Sequence, residues 1–201
     1  RSTLLASSAA SDVYKRQLKM EVIIMKIVIL TGSYNLHGTS NTLVDEFIKG
    51  AEENNNEIIR FDTAHLNIRP CIGCNHCGMD GDCVFKDDMA KILDAVEAAD
   101  MLVLATPVYY FAMTAPLKAT IDRFYSRTGR ISYKRLRTAF IMTCWNTDDS
   151  TVEPLIVHYK KLVSYMNYKD EGMIIGKGCG TVGMMPTHFL KEAYELGKKI
   201  K

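Results

Sequence analysis

The fold of this chain is decided by the stretch Met101-Leu-Val-Leu-Ala-Thr106 and the turn Pro107-Val-Tyr-Tyr-Phe111 that follows it. A continuous apolar run of this kind is typical of a strand buried on both faces of a parallel sheet. A helical pattern begins soon afterwards, at Pro116–Tyr125, so the turn lies at the carboxyl end of the strand. Bulky aromatic side chains at such a turn are costly to leave in water. We expect one of the three to pack in the core and the others to be covered by a flat ligand.

Strand and helix patterns alternate along the rest of the chain. The predicted strands are Met25–Thr31, Glu57–Asp62, Met101–Thr106, Thr138–Cys144 and Gly172–Ile175. The predicted helices are Thr42–Ala51, Asp88–Ala98, Pro116–Tyr125, Val152–Tyr165 and Thr187–Lys199. This alternation predicts an α/β fold with a doubly wound, five-stranded parallel sheet and helices on both faces. We choose the strand order 2-1-3-4-5, which places a ligand at the carboxyl ends of strands one and three.

A turn rich in glycine and small polar residues follows the first strand: Thr31-Gly-Ser-Tyr-Asn-Leu-His-Gly-Thr-Ser-Asn-Thr42. The N-terminus of a helix presents unpaired amides and the positive end of the helix dipole, so this turn is suited to a phosphate. The alternative is an ordinary Ser/Thr cap of a helix. The candidate phosphate-binding residues are Ser33, Asn35, Ser40, Asn41 and Thr42.

These two turns, together with Met113-Thr-Ala-Pro-Leu-Lys118 and Ile121-Asp-Arg-Phe124, resemble the flavodoxin-like NAD(P)H-dependent FMN reductase family. The first turn departs from the family pattern because an early Arg is replaced by Tyr34-Asn35. The resemblance implies one bound FMN, with the isoalloxazine ring on the turn after strand three. The residues that would hold the ring are Pro107, Val108, Tyr109, Tyr110 and Phe111. Trp145, which follows the fourth strand, either caps the same pocket or packs in the core.

The resemblance further implies an oxidoreductase that takes hydride from NADH or NADPH and passes electrons to a small-molecule or protein acceptor. The cofactor carries this chemistry, so no catalytic side chain is assigned. Relatives of this kind place the flavin near a subunit boundary, which implies a homodimer. Two alternatives stay open: a non-enzymatic carrier with FMN and an iron–sulfur cluster, and a thiol redox switch on the same scaffold.

About two dozen residues without periodicity separate the second strand from the next helix, and four cysteines lie among them. Their pattern is Cys71-x-x-Cys74-x-x-Cys77-x5-Cys83. Four thiolates so closely spaced can hold a [4Fe–4S] cluster or a tetrahedral zinc ion, or they stay free thiols. The spacing also resembles the loop of the iron–sulfur flavoproteins, including Pro70 before it and Lys86-Asp-Asp-Met89 after it.

The bulk composition fits one domain among the 201 residues. Residues 1–19 are Ser/Ala-rich, begin at Arg and lack hydrophobic periodicity, so we expect a non-native or disordered leader followed by a single domain over 20–201. A net charge of +2 gives no indication of nucleic-acid binding. No apolar run approaches the length of a membrane helix. We therefore expect a soluble, cytoplasmic protein without nucleic-acid or membrane partners.

Overall fold

A computed structural model describes residues 24–201. The expected leader over residues 1–19, and with it the exact start of the domain, lies outside these described residues. No helix of the described part is both long and apolar enough to cross a bilayer.

Five strands alternate with helices, as the apolar runs predict. The strands are β1 (Lys26–Thr31), β2 (Glu57–Asp62), β3 (Met101–Pro107), β4 (Arg137–Thr143) and β5 (Lys169–Gly176). The helices are α1 (Thr39–Glu52), α2 (Met89–Ala98), α3 (Ala115–Asp122), α4 (Thr128–Tyr133), α5 (Glu153–Tyr165) and α6 (Thr187–Lys198). Short 3-10 turns cover Thr63–His65, Arg123–Arg127, Asp149–Thr151 and Val182–Met184.

All strand pairs are parallel, and the sheet order is β2-β1-β3-β4-β5, which confirms the predicted flavodoxin-like topology. Thr31 is in register with Ala105, and Pro107 is in register with Thr143. The carboxyl ends of β1, β3 and β4 therefore lie side by side. The winding of the chain reverses between β1 and β3, which is where ligands bind in sheets of this kind.

Alternation along the strands divides the core into two layers. In β1, Ile27 and Ile29 pack with Phe47 of α1 on one face of the sheet. Val28 and Leu30 pack on the other face, with the buried side chains of α2, α3 and α5. Both faces are covered, which explains why the strands are continuous apolar runs rather than alternating ones.

Three predicted bounds shift by three residues, the other bounds shift by one at most, and one helix was not predicted. Helix α3 ends at Asp122, not Tyr125, because the chain continues as the 3-10 turn Arg123–Arg127. Helix α1 begins at Thr39, not Thr42, because the small polar residues predicted as loop form its first turn. Strand β5 begins at Lys169, not Gly172, because its first three residues are charged and an edge strand tolerates charged side chains. The short helix α4 was not predicted, since six residues with few apolar side chains carry no clear period.

Candidate functional site

Turns after four of the strands surround a cavity of about 230 Å³ at the carboxyl edge of the sheet. Six of the ten predicted cofactor-binding residues line it: Ser33, Asn35, Ser40, Pro107, Val108 and Tyr109. The lining residues that sequence reasoning did not assign are Thr39, Thr143, Cys144 and Cys179. Their position at the ends of β4 and β5 and in the first turn was the only signal that could have identified them.

The turn after β1 is fixed against the start of α3 by close backbone contact. The amide of Gly32 donates to the carbonyl of Ala105 at 2.8 Å, and the Thr114 hydroxyl donates to the Gly32 carbonyl at 2.7 Å. A Cβ atom at position 32 would lie 2.3 Å from Oγ1 of Thr114. Only glycine fits there, so this turn is held tightly to the neighbouring strand and helix.

The first turn of α1 forms part of the cavity wall through Gly38, Thr39 and Ser40. Gly38 is the N-cap, and it offers no side chain to satisfy the free amides of this turn. Ser40 lies in the cavity wall, whereas Asn41 is fully buried behind it and donates through Nδ2 to the Asn35 carbonyl at 2.9 Å. Thr42 faces back along the helix, where its hydroxyl donates to the Gly38 carbonyl at 3.1 Å. The helix dipole and the free amides together make this end of α1 attractive to an anion.

The aromatic turn after β3 is a tight two-residue hairpin. Tyr109 and Ala112 exchange backbone hydrogen bonds of 3.0 and 3.1 Å across it. Its two central residues, Tyr110 and Phe111, have φ angles of 47° and 65°, a left-handed conformation that bulky residues rarely adopt. Such strain persists where the surrounding structure enforces it, and it concentrates at ligand sites.

None of the three aromatic side chains enters the core, so the prediction that one of them does is wrong. Tyr109, Tyr110 and Phe111 are 59%, 97% and 53% exposed. The hairpin turns all three away from the space between strand and helix, which Met113 and Leu117 fill instead. The turn thus offers an exposed aromatic surface beside the cavity.

Trp145 lies at the cavity rather than in the core, which decides between its two interpretations. Its side chain is 65% exposed and packs over Gly180, where a Cβ atom would lie 2.3 Å from Cε3 of the indole. In the wall of the same cavity, burial raises the pKa of Cys144 and raises the pKa of Cys179 to about 11. Both thiols are therefore protonated at neutral pH.

These features fit a flavin nucleotide: free amides at a helix N-terminus for a phosphate, and exposed aromatic side chains for a flat ring. The NADPH-dependent FMN reductase family matches residues 25–147, which span β1 to the end of β4 and both turns. The chain belongs to this family. It is an FMN-dependent oxidoreductase, and a reduced nicotinamide is its electron donor.

Several known proteins are similar to this chain. An iron–sulfur flavoprotein of Archaeoglobus fulgidus is 30% identical over 88% of this chain and 79% of its own length. One from Methanocaldococcus jannaschii is 36% identical over about half of either chain, 55% and 56%. The structure of an NAD(P)H:quinone oxidoreductase from Methanothermobacter marburgensis has a TM-score of 0.73 at 17% identity, covering 89% of this chain and 96% of that one. At that identity the likeness supports the fold alone.

The cysteine loop lies beside this edge of the sheet, between the 3-10 turn at Thr63–His65 and α2. Cys71 and Cys74 are exposed, Cys77 and Cys83 are half-buried, and all four are free thiols. Within residues 24–201, no three Cys, His, Asp or Glu side chains converge closely enough to form a metal site. The donor chemistry of the loop fits a thiolate-bound cluster, but the loop does not gather its thiols in this structure.

A buried ion pair anchors the carboxyl end of the loop. The guanidinium of Arg123 binds the carboxylate of Asp87 through two hydrogen bonds of 2.8 and 3.0 Å, and both side chains are almost fully buried. Arg123 also donates to the carbonyl of Arg69 at 2.7 Å. Burial opposes ionisation of Asp87, but the hydrogen bonds from Arg123 and from the amide of Arg69 hold the pKa of Asp87 below its usual value. The pair joins both ends of the cysteine loop to the 3-10 turn Arg123–Arg127 that follows α3. The sequence pattern gave no indication of this pairing between residues 36 positions apart.

Proposed function

We propose that FMN binds in the 230 Å³ cavity with its phosphate at the first turn of α1 and its ring against the aromatic turn after β3. The observation that carries this proposal is the left-handed, exposed pair Tyr110–Phe111 next to a helix N-terminus without a side-chain cap. The proposed phosphate residues are Ser33, Asn35, Ser40, Asn41 and Thr42. The proposed ring residues are Pro107, Val108, Tyr109, Tyr110 and Phe111.

The phosphate residues divide into donors and supports. Ser40, at the cavity wall, and the free amides of the first turn donate to the phosphate. Asn41 fixes the turn through its bond to the Asn35 carbonyl, and Thr42 fixes the helix start through its bond to the Gly38 carbonyl. No Lys or Arg lines the cavity among the described residues, so the phosphate is held by dipoles and neutral donors.

Bound FMN supplies hydride acceptance and electron release, which side chains do not. The chain's own residues bind and orient the ring and keep water from it. Tyr109 and Trp145 line the cavity from different strand ends, where their aromatic faces would flank a bound ring. The two thiols in the wall stay protonated and neutral, so they bring no charge to the site.

The finer details of function are part of the same proposal. The acceptor is a small molecule or a protein, the assembly is a homodimer in which a second copy helps to cover the exposed aromatic turn, and the compartment is the cytoplasm. The free cysteines of the described chain agree with a reducing compartment.

The cysteine loop is proposed to hold a [4Fe–4S] cluster through Cys71, Cys74, Cys77 and Cys83. The compact spacing supports this, because clusters of this kind use four closely spaced thiolates. Similar proteins from Archaeoglobus fulgidus, Methanocaldococcus jannaschii and Methanosarcina thermophila are named iron–sulfur flavoproteins. A zinc ion and free thiols are the other outcomes that metal analysis would distinguish.

Anaerobic reduction by nicotinamide tests the proposed activity. FMN-loaded protein should be bleached by NADH or NADPH with oxygen excluded, and turnover with a quinone should follow a two-step, ping-pong rate law because one site serves donor and acceptor in turn. Protein with full FMN occupancy that neither nicotinamide reduces would instead be an electron carrier.

A further inference from the structure

A small cavity of about 100 Å³ lies under the carboxyl end of the cysteine loop, away from the flavin cavity. Cys83 and Arg123 both line it. The other charged groups facing it are Asp82, Lys86 and Arg127, and Arg127 is already bound to Asp94 at 2.6 Å and to Glu97 at 3.3 Å. The cavity therefore brings the last cysteine of the loop to a buried guanidinium.

One donor of that guanidinium is left without a partner. Arg123 is 2% exposed, and its two terminal nitrogens bind Asp87 and the carbonyl of Arg69. Its Nε–H has no hydrogen-bond partner among residues 24–201. An arginine cannot lose its proton to relieve this, and a buried donor without an acceptor is destabilising. An acceptor is therefore expected in this cavity.

The sulfur of Cys83 is suited to be that acceptor. A thiol is a weak acceptor, but a metal-bound thiolate carries negative charge and accepts N–H hydrogen bonds. The ion pair with Asp87 holds the guanidinium in place. The guanidinium carbons of Arg123 and Arg69 lie 5.2 and 4.3 Å from the centroid of the Phe85 ring. Arg123 is thus held in place in the cavity that Cys83 also lines.

We infer that the Nε–H of Arg123 donates to the sulfur of Cys83 when the loop holds its cluster, and that this bond raises the cluster's reduction potential. The inference rests on the proposed [4Fe–4S] cluster. Reduction adds one electron and makes the cluster sulfurs more negative, so a hydrogen bond to a ligand sulfur stabilises the reduced form more than the oxidised form. Arg123 is a positioning residue, because it acts through Cys83.

The test is a redox titration of the full chain with FMN and reconstituted cluster, using dithionite as reductant and electron paramagnetic resonance as the readout. Arg123→Lys keeps a cation for Asp87 but removes Nε–H. The variant should keep its iron and FMN, while the midpoint potential of its cluster falls by up to about 59 mV. For a one-electron couple this is a tenfold change in the ratio of oxidised to reduced cluster. Arg130→Lys is the matched control, because Arg130 pairs with Asp80 of the same loop at an exposed position and should leave the potential unchanged.

A second variant covers the case in which Arg123→Lys does not fold. Asp87→Asn leaves Arg123 in place and removes the negative charge that neutralises it, so the potential should rise. If the wild type holds iron but Arg123→Lys leaves the cluster's potential unchanged, this inference is wrong and the cluster proposal stands. The same holds if Asp87→Asn lowers the potential. A wild type that takes up no iron would overturn the cluster proposal and this inference with it.

Discussion

Backbone strain at two residues links the shape of the aromatic turn to its role. A left-handed conformation costs an ordinary L-residue about 1–2 kcal/mol. Tyr110 and Phe111 carry this cost side by side with no compensating burial, since both side chains are exposed. Stability would favour glycine or asparagine there, so the aromatic residues are better explained by contact with a ligand.

Replacement of Tyr110 with Gly should therefore separate stability from binding. The FMN-free protein should gain roughly 1 kcal/mol in its free energy of unfolding, while its affinity for FMN falls. Urea unfolding and a flavin fluorescence titration measure the two effects. Arg135→Gly is the matched control, because Arg135 has a φ of 53° in a turn remote from the cavity and should gain stability without losing affinity. Unchanged FMN affinity in Tyr110→Gly would remove the turn from the ring site.

The second prediction at the scale of residues concerns how Ser40 binds the phosphate of FMN. Ser40→Ala removes a donor to a charged group at the cavity wall, which should lower FMN affinity by about 1.5–3 kcal/mol, or roughly tenfold to a hundredfold. Riboflavin, which has no phosphate, should bind the variant and the wild type equally well. Thr42→Ala should cost less FMN affinity, because its hydroxyl is already bonded to Gly38. Equal losses for FMN and riboflavin would contradict the phosphate assignment.

At the scale of elements, α1 is held in place by very close packing against α6. A Cβ atom on Gly50 would lie 2.0 Å from the Tyr194 carbonyl oxygen, and one on Gly197 would lie 2.0 Å from the Phe47 carbonyl oxygen. The two helices cross where neither has a side chain. Since α1 begins at the proposed phosphate site, this contact sets how its first turn meets the cavity.

Gly197→Ala should push the helices apart and destabilise the protein by about 1–3 kcal/mol. The measurement is urea unfolding of the FMN-free and FMN-loaded protein, and weaker FMN binding should accompany the loss of stability as α1 shifts. Gly129→Ala in α4 provides the control, because nothing lies within 4 Å of its added methyl group and alanine favours a helix. If the two substitutions have equal effects, the close crossing does not hold α1 in place.

At the scale of the whole molecule, the sheet order and the binding edge could be predicted. The apolar runs locate the strands in the sequence, and the general preference for right-handed crossovers restricts how they are ordered. Other features could not. The left-handed angles at Tyr110 and Phe111 depend on a hairpin that closes only in the folded chain. The pairing of Asp87 with Arg123 joins the cysteine loop to a 3-10 turn 36 positions away. The first half of β5 is charged, as an edge strand tolerates.

The cysteine loop is the part of the whole molecule that structure and sequence describe differently, and iron analysis addresses it directly. If Cys71, Cys74, Cys77 and Cys83 bind a [4Fe–4S] cluster, anaerobic protein should contain about four irons and four inorganic sulfides per chain. Each single Cys→Ser change should strip or damage the cluster, because a hydroxyl is a poorer ligand than a thiolate for iron of this softness. FMN content should survive, since its proposed site lies on other turns.

Cys144→Ser and Cys179→Ser are the matched controls for this experiment. Both cysteines are buried at the ends of β4 and β5, outside the loop, so iron content should not change when either is replaced. The loop is anchored at Asp87 and Asp80, and its four thiols do not converge among the described residues. Cluster binding therefore requires the loop to draw them together. Protease digestion should therefore cut the loop more slowly after reconstitution than before. A loop that takes up neither iron nor zinc, and is cut at the same rate in both preparations, would leave a flavin reductase with four free thiols.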